Sequence, residues 1–197
     1  MILILMQAMS LIMFGICRFF KKTRLKESLC LLIISEVITI LYAGIYFAFS
    51  RDFVLLLTGV VSIIGLYISY IDIKTRVIEP KLNIAIIVVA ILFAFFRTDI
   101  AFYNPVITGI IMFLLLKVMH KLSKQQIGEG DVKLIVAYSV VYGFSKIISV
   151  LFYSLLSCLI VGVVLMIIKK KNMKLEIPFA PFMVAGAAFF DILSHLR

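Results

Sequence analysis

Long apolar runs separated by short polar connections fill most of the chain. Eight can be marked, near Met1–Phe20, Leu29–Ser50, Phe53–Ile71, Leu82–Phe96, Ile100–Met119, Leu134–Phe144, Ile147–Ile168 and Ile177–Leu193. None alternates apolar and polar residues with the period of two that a membrane-barrel strand needs. A helix crossing the hydrocarbon core takes about 20 mostly apolar residues, and most of these segments come close to that length. The fourth and sixth are shorter and need support from elsewhere.

The polar connections supply it. If the first connection faces the cytoplasm and the sides then alternate, one face collects Arg18, Lys21, Lys22, Arg24, Lys26, Lys74, Arg76, Lys81, Lys117, Lys121, Lys124, Lys133, Lys169, Lys170, Lys171 and Lys174. Those are 16 of the 20 Lys and Arg residues, and the other face keeps only Arg51, Arg97, Lys146 and Arg197. Basic residues gather on the cytoplasmic side of membrane helices. Omitting either short segment would scatter strongly basic connections over both faces. The pattern therefore predicts an all-α fold, a polytopic membrane helix bundle of about eight transmembrane helices with both termini outside. With no internal repeat or long linker, residues 1–197 are expected to form a single membrane domain. Met1–Phe20 has no basic residue before Arg18 and no clear small-residue cleavage site, so it is expected to be a retained span.

Composition points the same way. Hydrophobic residues make up 64% of the chain and the mean hydropathy is +1.20, against roughly 45–50% apolar in soluble domains. A water-soluble fold of this length has too little interior for so much apolar side chain. The net charge of +10 would suit a nucleic-acid binder, but the basic residues lie in short clusters between apolar runs. There they meet lipid headgroups, so membrane lipids and no nucleic acid are the expected partners. Cys17, Cys30 and Cys158 are isolated, which rules out a paired C-x-x-C zinc or redox motif; they read as small hydrophobes. His120 and His195 sit far apart in sequence at segment ends, so no metal site and no cofactor are expected.

Only ten residues are acidic, and each can be placed. Glu27, Asp52, Asp99 and Glu176 lie in or beside connections, and Asp191 near the outer end of the last segment. Glu36 falls inside the second segment, at a depth where an ionisable side chain is costly. Asp72 and Asp131 both fall at the cytoplasmic boundary, where a span meets a loop. Each is followed two residues later by lysine: Asp72-Ile73-Lys74 and Asp131-Val132-Lys133. The second belongs to Ile127-Gly128-Glu129-Gly130-Asp131-Val132-Lys133-Leu134, where Gly128 and Gly130 permit a backbone path that side chains would obstruct and a close approach by another segment. On these residues alone, the two aspartates are either helix-end charges or a working pair.

Gly128-Glu129-Gly130-Asp131-Val132-Lys133 resembles the Gly-x-Gly-Asp-x-Lys motif of the type IV prepilin peptidases, which are membrane aspartic endopeptidases. Asp72-Ile73-Lys74-Thr75-Arg76-Val77-Ile78 resembles that family's other catalytic Asp, which follows a span and opens a basic loop. Ile177-Pro178-Phe179-Ala180-Pro181-Phe182 is similar to the Pro-Phe-Gly-Pro-Phe stretch near the family's C-terminus. The resemblance covers a peptidase-like core of about 53–171 and that final patch. It implies catalytic Asp72 and Asp131, with Gly128, Gly130 and Lys133 supporting the motif. It also implies no metal, and prepilin-like precursor proteins as partners, cut behind a basic leader at the cytoplasmic face of a prokaryotic plasma membrane. Two features depart from the family. The usual Ile-Pro-Asn after the first Asp is displaced to Ile78-Glu79-Pro80-Lys81-Leu82-Asn83, and Ala180 stands where Gly is common. No paired C-x-x-C region accompanies the core, so the methylation associated with the long members does not carry over.

Two carboxylates hydrolyse an amide when one is ionised and takes a proton from water while the other, protonated, supports the oxyanion and the leaving amine. Like charges held close resist double ionisation, so a shared proton follows from proximity. Asp72 follows a span and Asp131 precedes one, so helix polarity expects Asp131 to be the base and Asp72 the first proton holder. Two other classes compete. A presenilin-like intramembrane protease also uses Gly-x-Gly-Asp, but no Pro-Ala-Leu follows here. A small proton-coupled transporter would relay protons through Glu36, Asp72 and Asp131, and Glu36→Gln would stop a relay without stopping a boundary peptidase.

Overall fold

The structure, a computed structural model, describes residues 53–97, 101–123, 127–169 and 177–195, with Ile33, Ile34 and Val37 besides. The rest of the expected segments Met1–Phe20 and Leu29–Ser50 lies outside the described residues. So do both termini, Glu27, Glu36, Asp52, Asp99, Glu176, Cys17, Cys30, Lys124 and the basic cluster from Lys170 to Lys174. The described chain is all-α. Its helices are α1 (Phe53–Thr75), α2 (Pro80–Ala94), α3 (Asn104–Leu122), α4 (Glu129–Lys169) and α5 (Ala180–His195). Among them α1, α3 and α4 are long and apolar enough to cross a membrane. α2 and α5, with 15 and 16 residues, rise only about 22–24 Å, short of a hydrocarbon core of about 30 Å.

Local chemistry sets the helix ends. Pro80 opens α2 and Pro105 lies in the first turn of α3, positions where a missing N–H costs nothing and the fixed φ already suits a helix. α1 closes on Arg76, whose φ of 51° is left-handed and whose N–H bonds the Asp72 carbonyl at 2.8 Å. That closing turn is usually given to glycine, and here it re-aims the chain into the loop toward Ile78.

α4 is two rods. Its 41 residues would extend about 60 Å if straight and would hold Asp131 and Cys158 some 40 Å apart. Instead Gly162, one turn beyond Cys158, lies against Ile177, which lines the same cavity as Asp131, so the chain folds back between Asp131 and Cys158. The reversal is at Gly143, with φ 70° and ψ 172°, a conformation open to glycine and costly for any other residue. Both sides of this tip are tied by side chains from the α2–α3 connection and the start of α3. Arg97, buried, donates from its guanidinium to the Val141 carbonyl, one of the acceptors a helix leaves unpaired at its C-terminal end. Asn104 accepts from the Phe144 amide at 3.4 Å. The break between the expected sixth and seventh segments thus corresponds to this hairpin. Arg97, expected as a plain loop charge, is a buried cap.

α1 packs on α2 and α5, and α4 packs on α2, α3 and α5. α1 and the first rod of α4 therefore face each other across a four-helix ring, with α2 and α5 between them, α3 outside and the second rod of α4 along α5. The core gathers Leu57, Ile64, Tyr67 and Ile68 of α1 around Ile86, Leu134, Tyr138 and Met183. α1 is the most enclosed of the candidate spans, whereas α3 and α4 expose Ile110, Leu114, Val118, Leu155, Leu159 and Ile167. An apolar surface of that extent is what a lipid-facing helix presents.

Candidate active site

Asp72 lies in the last turn of α1 and Asp131 in the first turn of α4. Both line one cleft of about 520 Å³, together with Arg76, Val77, Ile78, Gly128, Glu129, Gly130, Ile177, Pro178 and Phe179. Asp72 is buried and Asp131 half-buried, and the charge of Asp72 reaches Asp131. Two acids distant in sequence are thus brought to one cavity.

The register of the ring explains how. Tyr138 of α4 reaches across to α1, where its hydroxyl would lie 2.4 Å from a Cβ at position 65; only Gly65 leaves it room. Gly65 precedes Asp72 and Tyr138 follows Asp131 by the same seven residues, about 10 Å of helix rise. α1 ends at the cleft and α4 begins there, so equal counts on antiparallel helices bring the two aspartates to the same height.

Gly128 and Gly130 shape the cavity through the space they leave. Neither has a positive φ; among the described glycines only Gly143 does. A Cβ on Gly128 would stand 2.9 Å from Asp131 Oδ2, and one on Gly130 would stand 3.1 Å from Ile78 Cβ. The first glycine makes room for the carboxylate. The second lets Ile78, in the loop that follows Asp72, close over the start of α4.

The last helix adds what the sequence did not reveal. The Ala180 N–H donates to Asp72 Oδ2 at 3.1 Å, and the Phe179 N–H also faces that carboxylate. Ala180 opens α5, so Asp72 stands at a helix N-terminus, whose free N–H groups and dipole solvate an anion. Comparing only the ends of α1 and α4 favoured Asp131 as the anion. A third helix end, that of α5, lies on the side of Asp72, and that comparison did not include it. Pro178 and Phe179, part of the Pro-Phe-containing stretch, form a wall of the cleft.

Lys133 does not line the cleft. It turns to a smaller groove beside it, lined also by Phe113, Lys117, His120, Glu129 and Val132, and pairs with Glu129 at 3.6 Å. Both side chains are largely exposed, so the pair adds only a few tenths of a kcal/mol, about 0.3–0.5. His120 Nδ1 and the Ile127 carbonyl are 2.6 Å apart, a contact that ties the end of α3 to the residue before Gly128. Among the described residues no group of three or more His, Cys, Asp or Glu side chains could hold a metal ion. Residues 59–163 match the sequence profile of the Type IV leader peptidase family. No curated protein and no solved structure matches the chain.

Proposed function

The chain belongs to the type IV leader peptidase family, and on that premise we propose that it is a membrane aspartic endopeptidase in which Asp72 and Asp131 form the catalytic pair. The observation that carries this reading is the single cleft the two carboxylates share. Gly128 gives Asp131 its room and Gly130 seats the opposing loop. Lys133 acts only indirectly, through Glu129.

Asp72, facing the N–H groups of α5, is the ionised partner, and Asp131 beside it holds the shared proton. A water between them gives a proton to Asp72 as its oxygen bonds the scissile carbonyl carbon, and Asp131 protonates the carbonyl oxygen. The resulting diol collapses as one hydroxyl proton returns to Asp131. The C–N bond breaks, and the leaving nitrogen takes the proton held on Asp72. The pair ends with one proton, as it began.

The substrates are prepilin-like precursors (pilin, pseudopilin or competence proteins) serving pili, secretion or DNA uptake, cut behind a short basic leader. With Asp131 protonated, Asp72 and Glu129 still outnumber Arg76 around the cleft, which suits a basic leader although the chain as a whole carries +10. The setting is a prokaryotic plasma membrane, crossed about eight times by one domain with both termini outside and the cleft on the cytoplasmic side. The test is cleavage of a pilin-like precursor by wild type, Asp72→Asn and Asp131→Asn, at equal membrane insertion. Wild type should cleave, and each variant should lose on the order of 10³-fold or more. Retained cleavage in either variant removes that residue from the mechanism.

A further inference from the structure

α1 and α4 carry the two aspartates, and α5 packs on both, so its position bears on their relative height alongside the direct contact of Tyr138 with Gly65. α5 is tied at both ends. At the cleft, its Ala180 N–H holds the Asp72 carboxylate at 3.1 Å. At the other end its Asp191 Oδ2 accepts a hydrogen bond from Tyr142 of α4 at 3.0 Å. Asp191 and Tyr142 are both buried. The spacing matches along the two parallel helices: Ala180 to Asp191 and Asp131 to Tyr142 are eleven residues each, about 16 Å of rise. The Tyr142 ring is also held between Tyr138, stacked at 6.4 Å, and Phe190, edge-on at 5.8 Å, so the hydroxyl has a fixed direction.

We propose that Tyr142 and Asp191 form a positioning pair that fixes the height of α5 against the Asp131 helix, and so holds the Ala180 amide on Asp72 at the level of Asp131. An acid enclosed near the far end of an apolar helix is costly, and this gives it a task at a distance from the cleft. A slip of one residue along α5 is about 1.5 Å, and a misplacement of about 1 Å at a reacting group can cost 10²-fold in rate. The consequence for catalysis rests on the peptidase reading; the register itself does not.

The experiment compares wild type with Tyr142→Phe, Asp191→Asn and Asp191→Leu in detergent micelles, by amide hydrogen exchange and by cleavage kinetics. Tyr142→Phe removes only the hydroxyl. It should speed exchange at Ala180 about tenfold above neighbouring α5 amides and lower kcat about tenfold with KM unchanged. Asp191→Asn keeps an oxygen that can accept from Tyr142 and should behave as wild type, whereas Asp191→Leu should follow Tyr142→Phe. If Asp191→Leu does not fold, Tyr142→Phe decides alone. Unchanged Ala180 exchange in Tyr142→Phe overturns the proposal. Acceleration spread evenly over α4 and α5 also overturns it, since that marks a bond that only stabilises the bundle. If wild type fails to cleave, the peptidase reading falls, and the exchange data still decide the positioning pair.

Discussion

At the cleft end of the bundle, Asp72 and Asp131 face a cavity bounded by a glycine-containing loop and a helix N-terminus. At the tip end, Arg97, Tyr142 and Asp191 are buried, each engaged with a neighbour, around the reversal at Gly143. Both ends use acids and glycines, with opposite results. The tip spends its polar groups on one another and on orphaned backbone groups, which fixes geometry. The cleft sets two carboxyl groups side by side against open space, with backbone N–H groups on Asp72 alone, an arrangement that suits proton transfer better than stability. Its glycines differ in the same sense. Gly143 is needed for its backbone angle, Gly128 for the volume beside Asp131.

That contrast predicts separable defects. After loss of the carboxylates themselves, the largest effect on cleavage belongs to Gly128→Ala. Its Cβ meets Asp131 Oδ2 at 2.9 Å, so the carboxylate must move, and cleavage should fall about 10²-fold while the melting temperature in micelles stays put. A large loss of stability in Gly128→Ala would show that the loop is structural after all. Gly143→Ala should do the reverse. Forcing a side chain onto φ 70° costs about 1–3 kcal/mol, read as a lower melting temperature with kcat of the surviving folded protein near wild type. The smallest effect belongs to Lys133→Ala. Its exposed pair with Glu129 should be worth under about 0.5 kcal/mol, with cleavage within about twofold of wild type. A loss approaching that of Gly128→Ala would bring Lys133 into the chemistry.

The parts legible in sequence were those written locally. Apolar runs marked the described helices, and the polar break after Phe144 marked, within a residue or two, the place where α4 folds back at Gly143. Two loop-side aspartates with their glycines marked the cleft in which the structure brings them together. What could not be read is held by contacts distant along the chain. Ala180 meets Asp72 across 108 positions, Tyr142 meets Asp191 across 49 and Arg97 meets Val141 across 44. No spacing or periodicity encodes such meetings, because they depend on which helices become neighbours in the ring. The expectation that Asp131 would be the base weighed only the ends of α1 and α4 and had no means of seeing the end of α5, whose first N–H meets Asp72. Asp191 was legible only as an acid near a segment end, and its partner lies on another helix.

The central claim is that Asp72 and Asp131 work as a pair sharing one proton. The most direct test is the pH dependence of cleavage, measured as kcat/KM on a precursor with no titratable group next to the scissile bond. With both acids protonated the base is lost, and with both ionised the proton donor is lost. The account therefore predicts a bell-shaped profile whose two limbs belong to the pair as a unit. A profile that rises with pH to a plateau and never falls would mean that no second carboxyl proton is needed, and would contradict it.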